Sequence, residues 1–267
     1  MELLKRTVVA LIFAPVLLLI FFIGDIPLLI FLMVLSILGM WEIRNMMLLK
    51  GIKLPIILIS INADFLLVAS LMQGMELYFS LIFLFFLIFF LDLFFNRLEG
   101  SIIRGSVSIF AVFYTALLPA AIFRVSLLPQ GPLLLILILV SCWITDTFAY
   151  FIGMSIGRHR NIFTASPKKS LEGFLGGFIF CFAILLCFHY FQPHIFHLWQ
   201  ILAAGIAAGI FGQLGDLFES MLKRDVGIKD SSNLIPGHGG ILDRFDSVLV
   251  AVPIFYFLLT LLSAIFN

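Results

Sequence analysis

Nine apolar stretches follow one another along this chain, at 7–23, 26–43, 55–73, 77–95, 106–124, 132–153, 173–191, 198–215 and 247–265. A helix needs about 20 mainly apolar residues to cross a bilayer core. Inside that core every backbone N–H and C=O must be bonded within the segment, which a helix does by itself. The repeated pattern therefore predicts an all-α polytopic membrane protein with about nine transmembrane helices. Composition agrees: 63% of the 267 residues are hydrophobic, 12% are charged, and mean hydropathy is +1.20. A soluble domain carries about 25% charged residues and covers its apolar groups with them. Short breaks separate the stretches, at Gly24-Asp25, Gly51 to Pro55, Gln73-Gly74, Glu99-Gly100, Pro129 to Pro132 and Gln192-Pro193.

The loops between the stretches are unequally charged. Counted alternately, one side receives fifteen of the sixteen Lys and Arg residues, and Arg124 alone falls on the other. The positive-inside rule then expects a cytosolic N-terminus, an external C-terminus and all long polar loops in the cytosol. The expected location is integral and multi-pass, in the inner membrane if the cell is bacterial. Lys5 and Arg6 before an apolar run imitate a signal peptide, but no small-x-small cleavage site follows, so 7–23 is taken as a retained helix. The net charge of +1 gives no nucleic-acid signal. Cys142, Cys181 and Cys187 form no CxxC pair and are expected as small buried hydrophobes. Two parts are expected: residues 1–125, plain transmembrane helices, and residues 126–267, a catalytic transmembrane region holding both long polar loops, Arg158 to Glu172 and Asp216 to Asp246.

Residues 215–246 hold ten of the thirty-one charged residues, six acids and four bases, so the segment is more than a topology-setting basic patch. Asp216, Glu219, Ser220 and Lys223 fall at i, i+3, i+4 and i+7, one face of a helix. Pro236-Gly-His-Gly-Gly240 breaks regular helix, and its glycines permit close approach of backbone N–H groups to a phosphate. Asp243 and Asp246 stand at i and i+3 at the start of the last helix. Hard Mg²⁺ takes one or two carboxylates plus substrate phosphates, and Lys and Arg neutralise the remaining phosphate charge. The set points to phosphoryl or nucleotidyl transfer at the membrane surface. The plain alternative is a solvated loop with helix-capping acids.

Asp146 lies inside an apolar stretch, where a carboxylate costs about 2.5–3.5 kcal/mol on insertion scales and marks function by default. Tyr150 and Gly153 share its face. Asp64 and Asp92 lack such polar company. In Ser166-Pro-Lys-Lys-Ser, Ser166 or Pro167 is expected to start the next helix, with Lys168 and Lys169 placed to meet an anionic headgroup or triphosphate, or to act as ordinary membrane anchors. His238 could contact phosphate or donate a proton, and His189, His194 and His197 resemble a metal cluster only loosely.

These motifs resemble a known family. Ser220-x-Leu-Lys-Arg, Lys229-Asp230, Pro236-Gly-His-Gly-Gly and Asp243-Arg-Phe-Asp246 together look like the signature of CDP-diacylglycerol synthase, or phosphatidate cytidylyltransferase. Asp146-Thr-x-Ala-Tyr150, Gly153, Gly157 and Ser166-Pro-Lys-Lys-Ser-x-Glu-Gly173 look like its second block. Arg158-His159-Arg160 stands where a Lys-rich stretch is expected, and Ser232 where Gly is common. The resemblance implies the reaction of CTP with phosphatidate to CDP-diacylglycerol and pyrophosphate, with Mg²⁺ and room for a second cation.

On this reading Asp216, Asp243 and Asp246 form the metal site, with Asp146 contributing. Lys223, Arg224, Lys229 and Arg244 hold phosphates, Lys168 and Lys169 extend that shell, and Ser220, Tyr150, His238 and the Gly237, Gly239 and Gly240 backbone lie on the substrate side. The partners are the two substrates and the bilayer, with no nucleic acid. A homodimer is compatible with the sequence, although no residue pattern specifies one. The competing enzyme is a CTP-dependent polyprenol kinase. A transporter using Asp64, Asp92 and Asp146 would spread its ionisable groups through the spans.

Overall fold

The computed structural model describes residues 2–69, 76–235, 237 and 239–266, with backbone alone at 2–10, 58, 62 and 76–78. Each apolar stretch lies on a helix: α1 Glu2–Ile23, α2 Asp25–Leu49, α3 Ile56–Ala69, α4 Glu76–Phe94, α5 Ser101–Ser126, α6 Gly131–Ile156, α7 Leu171–Phe191, α8 Leu198–Asp225 and α9 Leu242–Phe266. Residues 70–73 of the expected third stretch lie outside the described residues. Among the described residues extended pairing is confined to two isolated bridges, Arg160 with Ser170 and Ile235 with Gly239. Among the described residues six helices, α2 and α5 to α9, are long and apolar enough to cross a membrane. Three shorter apolar helices run over Leu11–Ile23, Ile59–Ala69 and Phe79–Phe94. Large apolar side chains such as Phe86, Ile102, Phe151 and Phe191 stand exposed, as lipid-facing residues do. The protein is an all-α polytopic membrane protein.

Two sequence expectations about helix ends are corrected. The polar segment from Asp216 does not begin as a loop, because α8 continues unbroken through Gly215 to Asp225. It stops where Gly227 takes a φ of 78° and donates its N–H to Arg224 O at 3.0 Å. Helix α7 starts later than Ser166 or Pro167. Residues Phe163 to Lys169 make turns instead, and the Ser170 hydroxyl accepts from Gly173 N at 3.1 Å, satisfying one of the helix's orphan donors. A third correction concerns Cys187, which is exposed while Cys142 and Cys181 are buried.

The chain divides into two compact units. The first comprises residues 1–124 and 230–242. Its interior is built from Leu28, Leu32, Leu35, Met40 and Ile43 of α2, Leu66 and Leu67 of α3, and Tyr114 in a π-helical turn, Phe113–Leu117, within α5. Asp92 of α4 is ion-paired with Arg104 of α5 at 2.9 Å, a structural assignment for that acid.

The second unit comprises residues 125–229 and 243–267. Helices α6 and α7 pack almost backbone to backbone. A Cβ at Gly173 would come within 2.7 Å of Ala149 O, and one at Gly177 within 2.8 Å of Thr145 O. Small residues at such a seam replace the hydrophobic drive that lipid removes. Helix α8 carries a second π turn, Ala207–Gly212, just before its polar end. Gln213 spans that irregularity by donating to both Gly209 O at 2.6 Å and Phe174 O of α7 at 3.0 Å. Isolated π turns often mark functional segments because they re-aim the residues that follow.

Candidate functional site

The second unit holds the charged residues of both sequence blocks except Asp230, which belongs to the first. Lys169, in the turn before α7, donates to Asp216 Oδ2 on α8 at 2.6 Å. Ser220, one turn beyond Asp216, donates to its Oδ1 at 3.4 Å. Asp146 of α6, Asp216 of α8 and Asp246 of α9 feel one another's charge, with Lys169 and Arg244 as the opposing cations around Asp146. Asp246 also accepts a 2.6 Å hydrogen bond from Ser247 N. Three segments distant in sequence thus bring three like-charged side chains into mutual range.

A second group lies deeper. Lys223 is bound to Asp243 Oδ1 and lies 3.4 Å from Glu219 Oε1. All three are buried, with side-chain exposures of 9% for Lys223, 5% for Asp243 and 0% for Glu219. Lys223 was expected to hold substrate phosphate and Asp243 to ligate metal. In this structure the two are buried and paired with each other, as a buried charge needs a close counter-charge. Glu219 carried no role in the sequence reading beyond its place on the helix face. The only advance signal was its i, i+4 spacing from Lys223.

The remaining expected residues are more open. Lys168, Arg224, Lys229, Arg244 and Tyr150 are exposed. Arg224 donates to Ala165 O at 3.3 Å and Ile228 O at 2.9 Å, which ties the end of α8 to the loop before α7. Arg158-His159-Arg160 is also fixed. Glu172 accepts from Arg158 N and His159 N and meets the His159 ring at 2.5 Å, while Arg160 donates to Gly153 O at 2.8 Å near the end of α6. A cation there suits the negative end of the helix. His197 caps α8, and its N–H donates to Gln200 Oε1 at 2.8 Å.

Gly237, Gly239 and Gly240 belong to the first unit, and His238 lies outside the described residues. Gly237 and Gly239 have φ of 78° and 86°, conformations that favour glycine. Ile235 N donates to Gly239 O at 2.8 Å, closing a tight loop. The loop is fixed by Glu42 of α2, a residue that the sequence reading passed over. Its fully buried carboxylate accepts from Ser231 Oγ at 2.9 Å, Ser232 Oγ at 2.6 Å, Ile241 N at 2.7 Å and Leu242 N at 2.9 Å. An acid within an apolar helix was the available signal.

Among the described residues no group of three or more His, Cys, Asp and Glu forms a ready-made metal cage. The donor chemistry nevertheless fits a hard divalent cation. Five carboxyl groups, those of Asp146, Asp216, Glu219, Asp243 and Asp246, stand among three cations, Lys169, Lys223 and Arg244, so oxygen donors outnumber the bases. Mg²⁺ usually keeps its waters and binds through one or two carboxylates plus substrate phosphates, so a complete protein cage is not required.

Comparison with known proteins adds an independent line. The model of the Cytidylyltransferase family matches residues 4–262. A phosphatidate cytidylyltransferase of Staphylococcus haemolyticus (strain JCSC1435) is 45% identical over 117 residues, covering 44% of this chain and 45% of the relative. One from Staphylococcus aureus (strain COL) is 47% identical over 118 residues, 44% of this chain and 45% of the relative. One from Bacillus subtilis (strain 168) is 45% identical over 128 residues, 46% of each chain. The chain thus aligns with somewhat under half the length of these curated relatives.

Proposed function

The chain belongs to the cytidylyltransferase family, and on that footing we propose that it transfers the cytidylyl group of CTP to phosphatidate, giving CDP-diacylglycerol and pyrophosphate. The observation that carries this reading is the convergence of Asp146, Lys169, Asp216 and Asp246 from four separate segments of one unit. Such an excess of carboxylates beside partly exposed bases suits a triphosphate accompanied by a divalent cation.

An oxygen of the phosphatidate phosphate forms a bond to the α-phosphorus of CTP. The bond from that phosphorus to the bridging oxygen breaks, and its electron pair leaves with pyrophosphate. The attacking oxygen is already anionic at neutral pH, so no side chain has to remove a proton from it. Positioning and charge stabilisation then supply most of the acceleration. Asp146, Asp216 and Asp246 would hold Mg²⁺, which when bound neutralises phosphate charge. Lys169 turns its ammonium from Asp216 towards a phosphate. Lys168, Arg224, Lys229 and Arg244 are the exposed cations available to substrate phosphates. Lys223 holds Asp243 and Glu219 in place. The backbone of Gly237, Gly239 and Gly240 is a further phosphate-holding element. The charge bias of the loops supports a cytosolic N-terminus and cytosolic chemistry.

The test is to incubate purified protein in detergent or liposomes with CTP, phosphatidate and Mg²⁺ and to identify the products by mass. CDP-diacylglycerol and pyrophosphate are expected, with loss of both on adding EDTA. Absence of CDP-diacylglycerol from folded protein would overturn the reading.

A further inference from the structure

We propose that Glu42 is a positioning residue for the reaction: from α2 it fixes both ends of the segment that carries Gly237 and Gly239, the glycines assigned above to a substrate phosphate. This rests on the activity proposed above, because the loop is assigned there as a phosphate holder.

Four donors converge on one carboxylate, and they are 189 to 200 residues from it in sequence. Two of them, Ser231 Oγ and Ser232 Oγ, lie where the loop leaves Asp230. The other two, Ile241 N and Leu242 N, lie where it ends and α9 begins. Glu42 therefore clasps both ends of the segment that carries Gly237 and Gly239. Leu242 N is the first N–H of α9 and Ile241 N belongs to the residue just before it, and neither can be satisfied by a backbone carbonyl of that helix. A carboxylate also complements the positive end of a helix. Glu42 thus acts as an N-cap supplied from another helix, at the start of the helix that carries Asp243 and Asp246.

The approach is too close for any side chain at Gly240. A Cβ there would collide with Ser231 Oγ and with the Glu42 carboxylate. The glycine is needed at this position for space. A buried, ionised carboxylate is costly unless hydrogen bonds offset the lost hydration, and charge-assisted hydrogen bonds are the strong ones. A merely apolar contact could seal the loop against α2 without that cost. The acid supplies a fixed shape instead, by making four directional contacts at once. A loop that presents backbone N–H groups to phosphate needs such fixing, since loosely held donors lose much of their affinity to ordering.

The test compares wild-type protein with Glu42→Gln, which keeps the size but loses the charge and turns one acceptor into a donor. Two readouts are used: KM for CTP and for phosphatidate with kcat, and hydrogen exchange over residues 231–242 with and without CTP. On the loss of hydrogen bonds to a charged group, KM for one of the two phosphate-bearing substrates should rise about tenfold or more, with kcat falling less than about threefold. The substrate affected identifies whose phosphate the loop holds. Exchange over 231–242 should quicken while that of α6 and α7 stays unchanged. If Glu42→Gln does not fold, Ser231→Ala with Ser232→Ala removes two of the donors and leaves the carboxylate, and the same split in KM is expected. Unchanged KM for both substrates in a folded variant, or a loss confined to kcat, overturns the inference. Inactive wild-type protein would instead count against the proposed activity. The exchange arm still reads the clasp in that case, and unchanged exchange over 231–242 would overturn it.

Discussion

Lys169 Nζ lies 2.6 Å from Asp216 Oδ2 across 47 residues of chain, with 33% of the lysine side chain and 28% of the aspartate side chain exposed. The contact joins the turn before α7 to the polar end of α8, and so unites the two charged sequence blocks in one unit. Both partners remain open to solvent or ligand, which fits a pair that exchanges its contact for a phosphate.

That exposure predicts a separation of activity from stability. Lys169→Met should lower turnover about a hundredfold, as loss of a charge-stabilising group does. Its effect on unfolding should stay below about 1 kcal/mol, because half-exposed ion pairs contribute little. Turnover of the purified variant and its melting curve measure the two effects. A large loss of stability with normal turnover would assign the pair to folding alone.

Lys223 should behave in the opposite way. Its removal leaves Glu219 and Asp243 buried without their shared counter-ion. Lys223→Met is expected to destabilise the protein by about 3–5 kcal/mol. Denaturant unfolding followed by fluorescence or by proteolysis checks this. Unfolding midpoints equal to wild type would show that the buried carboxylates do not depend on Lys223.

Asp246 stands where like charges from Asp146 and Asp216 repel it. Asp246→Asn relieves that repulsion, so the metal-free variant should be at least as stable as wild type. It should also lose Mg²⁺-dependent product formation and the thermal stabilisation that CTP and Mg²⁺ give wild-type protein. Near-normal turnover in the purified variant would remove Asp246 from the metal site.

Gly215 sets the spacing of α8 and α9. A Cβ there would meet Asp246 O at 2.5 Å and Val250 at 3.0 Å. Gly215→Ala should therefore push the helices apart, cost about 1–3 kcal/mol and shift Asp246 away from Asp216. Melting temperature and turnover should both fall. Activity equal to wild type would mean that the site tolerates this displacement.

The helices were legible because lipid imposes one rule on every span: about 20 apolar residues with all backbone groups bonded internally. Their polar ends were less legible. Gly215 looked like the end of a span, yet nothing at that position breaks a helix, and the close approach of Asp246 O explains the glycine instead. Local spacing placed Asp216, Glu219, Ser220 and Lys223 on one face, but it gave no means of telling an open lysine from a buried one. That distinction depends on Asp243, 20 residues away. Glu42 escaped for the same reason, since its four partners lie 189 or more residues along the chain. Residue types showed which chemistry was available. Long-range pairing decided which groups are open and which are buried against a partner.

The central claim is that the α-phosphorus of CTP is the centre attacked. Purified protein should be given phosphatidate, Mg²⁺ and CTP labelled at either the α- or the γ-phosphorus, and the lipid extract should then be counted. The account predicts label in the lipid from α-labelled CTP, and γ-label released as pyrophosphate. Label carried into lipid from the γ-position, with CDP as the soluble product, would contradict it and identify a lipid kinase.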